Sequence, residues 1–371
     1  MVTDTKAEPG ADTGAGTGAE PTTLAADDRV VVTGGAGFIG SAVVRALLAR
    51  QAAVMVLVEP GADRQNLHGL DVEVAEVDIR DADAVTASCR GARFIFHLAA
   101  MYRFWARRPQ DFSDVNVGGT LNVLRAAHQA GSARVVYTST VGVLGLDGAA
   151  RGKAADETCF ADVSHLFGHY KRTKYVAEHE VLRAAAQGAP VTLVLPTFPI
   201  GPGDARPTPT GKLVLDFLNG RIPAFVDTTL NVVHVDDLAA GHLLALTRGQ
   251  VGRSYIIGGE NMSMGAFLAA LADVTGLPAP KWRVPRGVAL GAGALSQLVE
   301  GRILKREPFA ALEAARMSTT NMAFDDTRAR TELGHTSRPP TLAMADAASW
   351  FVQHGDVTPK RRRRIHLPDV G

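Results

Sequence analysis

Cysteine is scarce in this chain, because only Cys89 and Cys159 occur among its 371 residues. Two cysteines build no disulfide framework, so the sequence indicates a reducing compartment, and a cytoplasmic location is expected. No apolar run approaches the roughly 20 residues that cross a bilayer. A net charge of +1 provides no overall field that would favour nucleic acid. The sequence therefore predicts neither a transmembrane segment nor a nucleic-acid partner.

The two ends of the chain have little that could be buried. Residues 1–28 are mostly Ala, Gly, Thr and Pro with scattered acids and lack the hydrophobic stretch of a signal peptide, so they are expected to be disordered. Residues 357–371 are predicted to be a basic tail that contains "KRRRR" at 360–364. Such a run is typical of a solvated tail, and an anionic membrane surface or another polyanion is the alternative.

Between these ends, short β-branched runs alternate with stretches of helical periodicity. Predicted strands occupy 29–34, 52–59, 71–78, 93–100, 133–140 and 191–196, with helices at about 37–51, 114–130 and 168–187. Continuous apolar strands that alternate with helices are typical of a parallel sheet covered on both faces. We therefore predict an α/β fold of Rossmann type, with a doubly wound parallel sheet.

The pattern of residue types changes after residue 196. A segment rich in Pro and Gly is followed by helical patterns at about 210–220, 236–248, 263–275 and 341–354. We predict that residues 29–196 and 232–262 form the dinucleotide-binding domain. Residues 197–231 and 263–356 are predicted to form a smaller α/β substrate domain over the carboxyl edge of the sheet, where ligands of such sheets bind.

A glycine-rich turn follows the first predicted strand and opens a helix, in the stretch "VVVTGGAGFIG". Glycines at this spacing permit a tight turn, close approach of a pyrophosphate and close packing of helix on strand. The helix N-terminus then faces the phosphates with its free N–H groups. A plain βα turn is the alternative. The residues of this turn that are predicted to bind a cofactor are Thr33, Gly34, Gly37, Phe38, Ile39 and Gly40.

Two carboxylates end the next two predicted strands. Glu59 follows the second strand, 25 residues after Gly34, where it can accept hydrogen bonds from an adenosine ribose. Asp78 ends the third strand, within reach of an adenine in this architecture. Either residue could instead be an ordinary surface acid.

A tyrosine and a lysine lie four residues apart in "GHYKRTKYVAEHE", at Tyr170 and Lys174. Residues at this spacing share one face of a helix. An ammonium beside a phenol favours the phenolate, so the pair can move a proton to or from a substrate oxygen while hydride is transferred. A hydroxyl from Thr138, Ser139 or Thr140, at the end of an earlier strand, can hold the reacting oxygen.

These elements together resemble the extended short-chain dehydrogenase/reductase family, over nearly all of residues 29–355. The matching stretches are "TGGAGFIG", "VDIR", "HLAA", "NVGGT", "YTST", "YKRTK", "PTFPIGPG" and "VHVDDLA", in the family's order. Within the family the resemblance is greatest to the hopanoid-associated sugar epimerases, on stretches such as "MYRFWARRP" and "YIIGGENMS". Dihydroflavonol-4-reductase-like enzymes come next.

The resemblance implies a catalytic role for Tyr170 and Lys174 and assigns the catalytic Ser/Thr position to Thr140, with Ser139 as a possible stand-in. It places Asn116 near the nicotinamide side and Pro196 with Thr197 beside the nicotinamide amide. Together with the strand-end positions discussed above, the residues outside the glycine turn that are predicted to bind the cofactor are Glu59, Arg64, Asp78, Ile79, Leu98, Ala99, Ala100, Thr138, Tyr170, Lys174, Pro196 and Thr197.

Two departures from the family pattern bear on the reaction. Family dehydratases carry an Asp-Glu pair after the catalytic Thr, whereas Val141 and Gly142 stand here, so dehydration is not predicted. Nucleotide-sugar epimerases commonly have an arginine where this chain has Leu230. The sugar-nucleotide assignment is thereby weakened, although Arg206, Arg221 or Arg283 could substitute.

The substrate residues are less well defined by the sequence. Tyr102, Phe104 and Trp105 follow the fourth strand and could form an aromatic wall against a sugar or lipid, with simple loop packing as the alternative; Arg206 is a further candidate. No metal site is predicted, because His165 and His169 lack an evident third ligand. Both cysteines are expected to be inert.

The predicted function is an NAD(P)-dependent sugar epimerase, with hopanoid biosynthesis as the context that the resemblance implies. The alternative is an NAD(P)H-dependent carbonyl reductase, and a non-catalytic cofactor-bound protein is a remote third hypothesis. The expected substrate is a small molecule, either a sugar or a lipid-linked sugar.

The cofactor and the assembly are also predicted. Close relatives commonly carry Arg where Glu59 stands, so NAD is expected to bind more tightly than NADP, with Arg64 as the complication. A homodimer is expected through the helices at 114–130 and 168–187. Leu121, Leu124 and Val181 could serve either the core or the partner there.

Overall fold

The structure is a computed structural model that describes residues 22–103, 106, 108–146, 153–163, 166, 168–296 and 321–367. Its strands are β1 Arg29–Thr33, β2 Ala53–Val58, β3 Glu73–Glu76, β4 Phe94–His97, β5 Arg134–Thr138, β6 Val191–Pro196, β7 Phe198–Ile200, β8 Ala224–Phe225, β9 Thr229–His234, β10 Ser254–Ile257, β11 Glu260–Ser263 and β12 Trp282–Arg283.

The helices are α1 Phe38–Leu48, α2 Ala82–Ser88, α3 Gln110–Ser113, α4 Thr120–Ala130, α5 His169–Ala186, α6 Pro209–Leu218, α7 Val235–Arg248, α8 Met264–Thr275, α9 Arg286–Ser296, α10 Pro340–His354 and α11 Pro359–Arg362. A π-helical segment at Asp114–Gly119 joins α3 to α4, and a second lies at Ala329–Leu333. No helix in the described ranges is long and apolar enough to cross a bilayer.

A seven-stranded parallel sheet in the order β10-β6-β5-β4-β1-β2-β3 forms the centre of the molecule. Successive strand residues point to opposite faces, so Val30 and Val32 of β1 pack with α1 and α7, whereas Val31 packs with α4 and α5. Apolar packing on both faces explains why these strands are continuous apolar runs. The predicted Rossmann-type α/β fold is confirmed.

The substrate domain has its own apolar core, built from α6, α8 and α10 against a three-stranded sheet in the order β11-β9-β7. β9 extends across the predicted boundary between residues 231 and 232, and β10 and α7 join the main sheet and its core. Short strands β8 and β12 pair in a further small sheet. Each of these strands has only two residues, too few for a strand pattern to appear in the sequence.

The ends of the described chain are packed where the sequence indicates solvated tails. Residues 1–21 of the predicted disordered segment lie outside the described ranges, but Asp27 N donates to the Gln51 carbonyl and Asp28 pairs with Arg93. Within the predicted basic tail, Val357 is buried and residues 359–362 form α11. This packing differs from the expected solvated tail, because Arg361 hydrogen-bonds to the substrate domain.

Candidate active site

The glycine-rich turn has the shape that a phosphate-binding turn requires. Gly34 adopts a φ of +72°, and a Cβ there would lie 2.7 Å from the Ala99 nitrogen. A Cβ on Gly40 would lie 2.1 Å from the Gly34 carbonyl oxygen, so α1 can pack this closely only with glycine. Gly37 caps α1 without any side-chain hydrogen bond, which leaves the helix N-terminus available to an anion. A dinucleotide pyrophosphate fits this turn.

Beyond the glycine-rich turn, Arg64 and Asp78 have ion-pair partners that the sequence does not predict. Glu59 is exposed after β2, while Arg64 pairs with Glu76 at the end of β3. The Asp78 carboxylate accepts from Arg80 Nε at 2.9 Å, and this hydrogen bond lowers the pKa of Asp78. Arg64 is therefore directed to Glu76, and Asp78 is held as an anion by Arg80 at the predicted adenine position.

The predicted catalytic tyrosine and lysine both lie on α5, which begins at His169 after Gly168 in a positive-φ conformation. Lys174 is buried, and its Nζ donates to the Thr138 carbonyl at 2.7 Å and to the Tyr137 hydroxyl at 2.8 Å. Burial lowers the pKa of Lys174 to about 7. Tyr170, one turn earlier, is half-buried on the same side of the helix.

Glu178 is a buried acid that the sequence analysis missed. It follows Lys174 by a further four residues, so Tyr170, Lys174 and Glu178 run along one face of α5. The Ser139 hydroxyl donates to the Glu178 carboxylate, and burial raises the pKa of that carboxyl group. The charge of Glu178 in turn raises the pKa of Lys174 against the effect of burial. The repeated four-residue spacing was the signal that could have identified it.

The hydroxyls at the end of β5 take different partners. Ser139 is buried against Glu178, and the Thr138 hydroxyl lies 3.0 Å from His242 Nε2. Thr140 is half-buried, and its hydroxyl accepts from Gly142 N at 3.1 Å while it caps a short turn. Of the three hydroxyl-bearing residues, Thr140 is therefore the one that is not buried, and its assignment as the catalytic Ser/Thr position stays a prediction.

A chain of hydrogen bonds links the glycine turn to α5. The Thr33 hydroxyl lies 2.7 Å from His97 Nδ1, and His97 Nε2 lies 2.9 Å from the Thr120 hydroxyl. Thr120 donates to the Asn116 carbonyl, and the Asn116 amide donates to Thr173 at 3.0 Å. Burial lowers the pKa of His97 to about 3, so its ring is neutral. The predicted Asn116 thus lies in the π-helical segment and connects both halves of the site.

The remaining predicted cofactor residues border the carboxyl ends of the strands. Leu98, Ala99 and Ala100 are half-buried after β4, and Pro196 ends β6. The Thr197 hydroxyl is enclosed and has no hydrogen-bond partner among the described residues, which suits a polar group brought by a ligand such as the nicotinamide amide. When bound, a nicotinamide cofactor supplies the hydride acceptor or donor.

The substrate side is only partly described. The centroid of the Tyr102 ring lies 4.8 Å from that of Tyr170, so this residue of the predicted aromatic wall lies beside the predicted catalytic tyrosine. Trp105 lies outside the described residues, as do Phe104 and His165. Arg206 is exposed on the loop before α6.

Two of the three arginines that could replace the arginine expected at position 230 form ion pairs with carboxylates. Leu230 is buried in β9, within the apolar core of the substrate domain. Arg221 pairs with Asp216, and Arg283 pairs with Asp227 at 3.1 Å. Arg206 alone of the three is without a described ion pair.

Neither the two thiols nor the described candidate metal ligands add a nucleophile or a metal site to this region. Burial raises the pKa of Cys89 to about 11 and also raises the pKa of Cys159. Both thiols therefore stay protonated near neutral pH. In the part of the chain that the structure describes, no three His, Cys, Asp or Glu side chains are grouped as metal ligands.

Comparison with known proteins agrees with this geometry. The sequence model of the NAD dependent epimerase/dehydratase family matches residues 30–258, more than half of the chain. A protein named "Putative dihydroflavonol 4-reductase" from Synechocystis is 41% identical over 338 residues, which are 90% of this chain and 97% of the relative. "Sterol demethylase protein B" from Methylococcus capsulatus is 35% identical over 326 residues, covering 88% and 98% of the two chains.

A solved structure is also similar. The crystal structure of gox2253 shares 40% sequence identity with this chain and superposes with a TM-score of 0.79, covering 89% of this chain and all of the other. The relatives and the site together show an enzyme, since the family is one of NAD-dependent epimerases and reductases. This chain belongs to the NAD-dependent epimerase/dehydratase family, the extended branch of the short-chain dehydrogenases/reductases.

Proposed function

We propose that the protein interconverts a secondary alcohol and a ketone, with Tyr170 as the acid/base and a nicotinamide cofactor as the hydride carrier. The arrangement that carries this proposal is the buried Lys174, held by the Thr138 carbonyl and the Tyr137 hydroxyl one helical turn from Tyr170. A cation fixed there stabilises a phenolate on Tyr170. In reduction Tyr170 protonates the carbonyl oxygen, and in oxidation it accepts the hydroxyl proton. Thr140 is the proposed second partner of that oxygen.

Reductase activity is favoured over sugar epimerisation by the residue at position 230. A nucleotide sugar brings a diphosphate, whose charge requires a cation or several donors when it is bound. Leu230 offers neither, and Arg221 and Arg283 are engaged by carboxylates. We therefore propose a carbonyl reductase or alcohol dehydrogenase that acts on a substrate without a nucleotide. The names of the two relatives, a reductase and a sterol-modifying protein, agree with this choice.

A sugar epimerase is the second candidate. Arg206 favours it, because an exposed guanidinium on the loop before α6 could bind a phosphate in two contacts. The hopanoid context stays a prediction that only the family resemblance supports.

Cofactor stoichiometry distinguishes the two candidates. The protein is incubated with NAD, NADP or their reduced forms and with a panel of sterol ketones, dihydroflavonols and nucleotide sugars, and products are identified by mass spectrometry. The proposal expects one reduced nicotinamide consumed per substrate reduced, and turnover by Tyr170→Phe that is lower on the order of 10²–10⁴-fold. Conversion of a nucleotide sugar to its epimer without net change in the cofactor would instead establish the second candidate.

A further inference from the structure

The basic segment, residues 360–364, is fixed to the surface of the substrate domain. Arg361 Nε donates to the Leu218 carbonyl at 2.9 Å, at the C-terminal end of α6. Just before the segment, Thr358 N donates to the Asn219 side chain at 3.0 Å. Just after it, His366 N donates to the Thr275 carbonyl at 3.0 Å. Hydrogen bonds before it, after it and from Arg361 within it therefore hold the basic segment on the substrate domain.

The other four cations of the basic segment remain directed to solvent. Lys360, Arg362, Arg363 and Arg364 are all exposed. Among the described residues, no carboxylate forms an ion pair with any of these four side chains. Arg361 cannot serve as a solvent-facing cation, since it is bound to the fold. The segment thus presents a fixed cluster of positive charge on a chain whose net charge is only +1.

Apolar surface lies next to this cluster. Arg364 lines a surface groove of about 620 Å³ together with Asp273 and the apolar residues Leu277, Pro278 and Ala279. Three residues beyond Ala279 comes Trp282, whose side chain is 76% exposed. The exposed ring of Trp282 offers a large apolar surface to a binding partner.

Further residues extend this mixed surface. Lys281 and Arg283 flank Trp282 in the sequence, and Arg283 is balanced by Asp227. Val288, in the first turns of α9, is 61% exposed. Cations and exposed apolar side chains therefore alternate from residue 281 to residue 288, beside the loop that adjoins the basic segment.

We propose that the basic segment and Trp282 form a docking surface for an anionic lipid membrane. Clustered Lys and Arg side chains are attracted to the negative potential of acidic lipid headgroups. Tryptophan favours the interface between headgroups and acyl chains, where its ring is shielded and its N–H remains hydrogen-bonded. A nucleic acid would pair with the cations but would give no comparable site for the exposed side chains of Trp282 and Val288. The combination of the two chemistries selects a membrane surface, bound reversibly and without insertion of a helix.

Vesicle sedimentation tests the proposal with the full-length protein. Binding to vesicles of phosphatidylcholine alone is compared with binding to vesicles that contain about one-third phosphatidylserine, at low and at high salt. The expected result is binding only to the anionic vesicles and loss of binding at high salt. Arg362→Glu/Arg363→Glu and, separately, Trp282→Ala are each expected to weaken binding about tenfold or more.

A matched control variant distinguishes an effect of charge in the basic segment from an effect of the protein's net charge. Arg50→Glu/Arg90→Glu makes the same change in net charge at two exposed arginines of the dinucleotide-binding domain, and it is expected to leave vesicle binding unchanged. Thermal unfolding and reductase activity confirm that each variant is folded. Equal weakening by the control pair would overturn the proposal, as would absence of binding to anionic vesicles. Binding to a duplex oligonucleotide as tight as to vesicles, unaffected by Trp282→Ala, would assign the surface to a general polyanion instead.

Discussion

Lys174 reaches from α5 to the end of β5, where its ammonium donates to the Thr138 carbonyl at 2.7 Å. The bond fixes the lysine to the sheet, so the cation keeps its place relative to the strand that carries Thr140. Its second donor contact is to Tyr137, and burial raises the pKa of Tyr137 well above 10, so that hydroxyl stays protonated. Tyr137 therefore positions Lys174 and stays protonated, so it does not compete with Tyr170 for the proton of the proposed reaction.

Removal of the Tyr170 hydroxyl is expected to abolish most proton transfer. Tyr170→Phe should lower kcat on the order of 10²–10⁴-fold, and Lys174→Met should also depress the rate because the phenolate loses its cation. Tyr175→Phe, on the same helix, is the matched control and should retain activity. Near-full turnover by Tyr170→Phe would show that another group moves the proton.

Glu178 is expected to influence the pH dependence of the rate. The carboxylate raises the pKa of Lys174, so Glu178→Gln should lower that pKa below about 7 and leave less ammonium near neutral pH. The descending alkaline limb of the kcat profile should move to lower pH, with a several-fold loss at neutral pH. Glu180→Gln is the control on the same helix. A rate reduced equally at every pH would show that Glu178 has only a structural role.

The cofactor preference is expected to depend on Glu59. Its carboxylate can accept from the ribose hydroxyls and would repel a 2′-phosphate, while Arg64 is held by Glu76. NAD should therefore bind more tightly than NADP, and Glu59→Arg should reverse the order. Calorimetric titration of both cofactors into both proteins measures this. Tighter binding of NADP by the unaltered protein would point to Arg64 or Arg80 as the phosphate ligand.

The expected homodimer has a surface on α4 and α5. Leu121 is 38% exposed and Val176 is 45% exposed, whereas Val181 is fully buried in the core and Leu124 packs against that core. Leu121→Asp/Val176→Asp should therefore dissociate a dimer without unfolding the monomer, while Leu342→Asp on α10 serves as an exposed control. Light scattering at micromolar concentration gives the mass. A monomer for the unaltered protein would contradict the prediction.

Asp204 is expected to make stability fall as pH rises. It is buried before α6 and accepts from Thr208 N and Oγ1, and burial raises its pKa from 3.8 to about 6. The folded protein holds this proton more tightly than the unfolded chain. The contribution to stability is therefore full below about pH 4 and is lost as pH rises through about 6, by roughly 3 kcal/mol.

Asp204→Asn removes this titration while it keeps an acceptor for Thr208. Chemical denaturation at about pH 4 and about pH 8 should show the variant gaining stability relative to the unaltered protein at the higher pH. A difference between the two proteins that does not change with pH would contradict the assignment.

The periodic parts of the sequence predict the fold well, because an apolar strand or a helix leaves its pattern in consecutive residues. Tyr170 and Lys174 were found because both lie on one helix, four residues apart. Glu178 continues the same spacing, yet it was missed because a glutamate on a helix is ordinarily exposed, and only the packing against β5 buries it.

Contacts between distant segments were not predictable from local pattern. The pairing of Arg64 with Glu76 depends on how the loop after β2 meets the end of β3. β9 has six residues, as many as β2 and β6, but its antiparallel pairing with β11 joins segments that α7 and β10 separate in the sequence, so no local pattern reveals it.

The chain of hydrogen bonds from Thr33 to Thr173 has a fixed polarity. The Thr120 proton is given to the Asn116 carbonyl, so His97 must donate from Nε2, and its Nδ1 accepts from Thr33. With the His97 pKa at about 3, the ring takes up no second proton near neutral pH. This chain of hydrogen bonds therefore does not conduct protons. In the proposed reaction, a proton that Tyr170 accepts therefore does not leave along this chain toward Thr33.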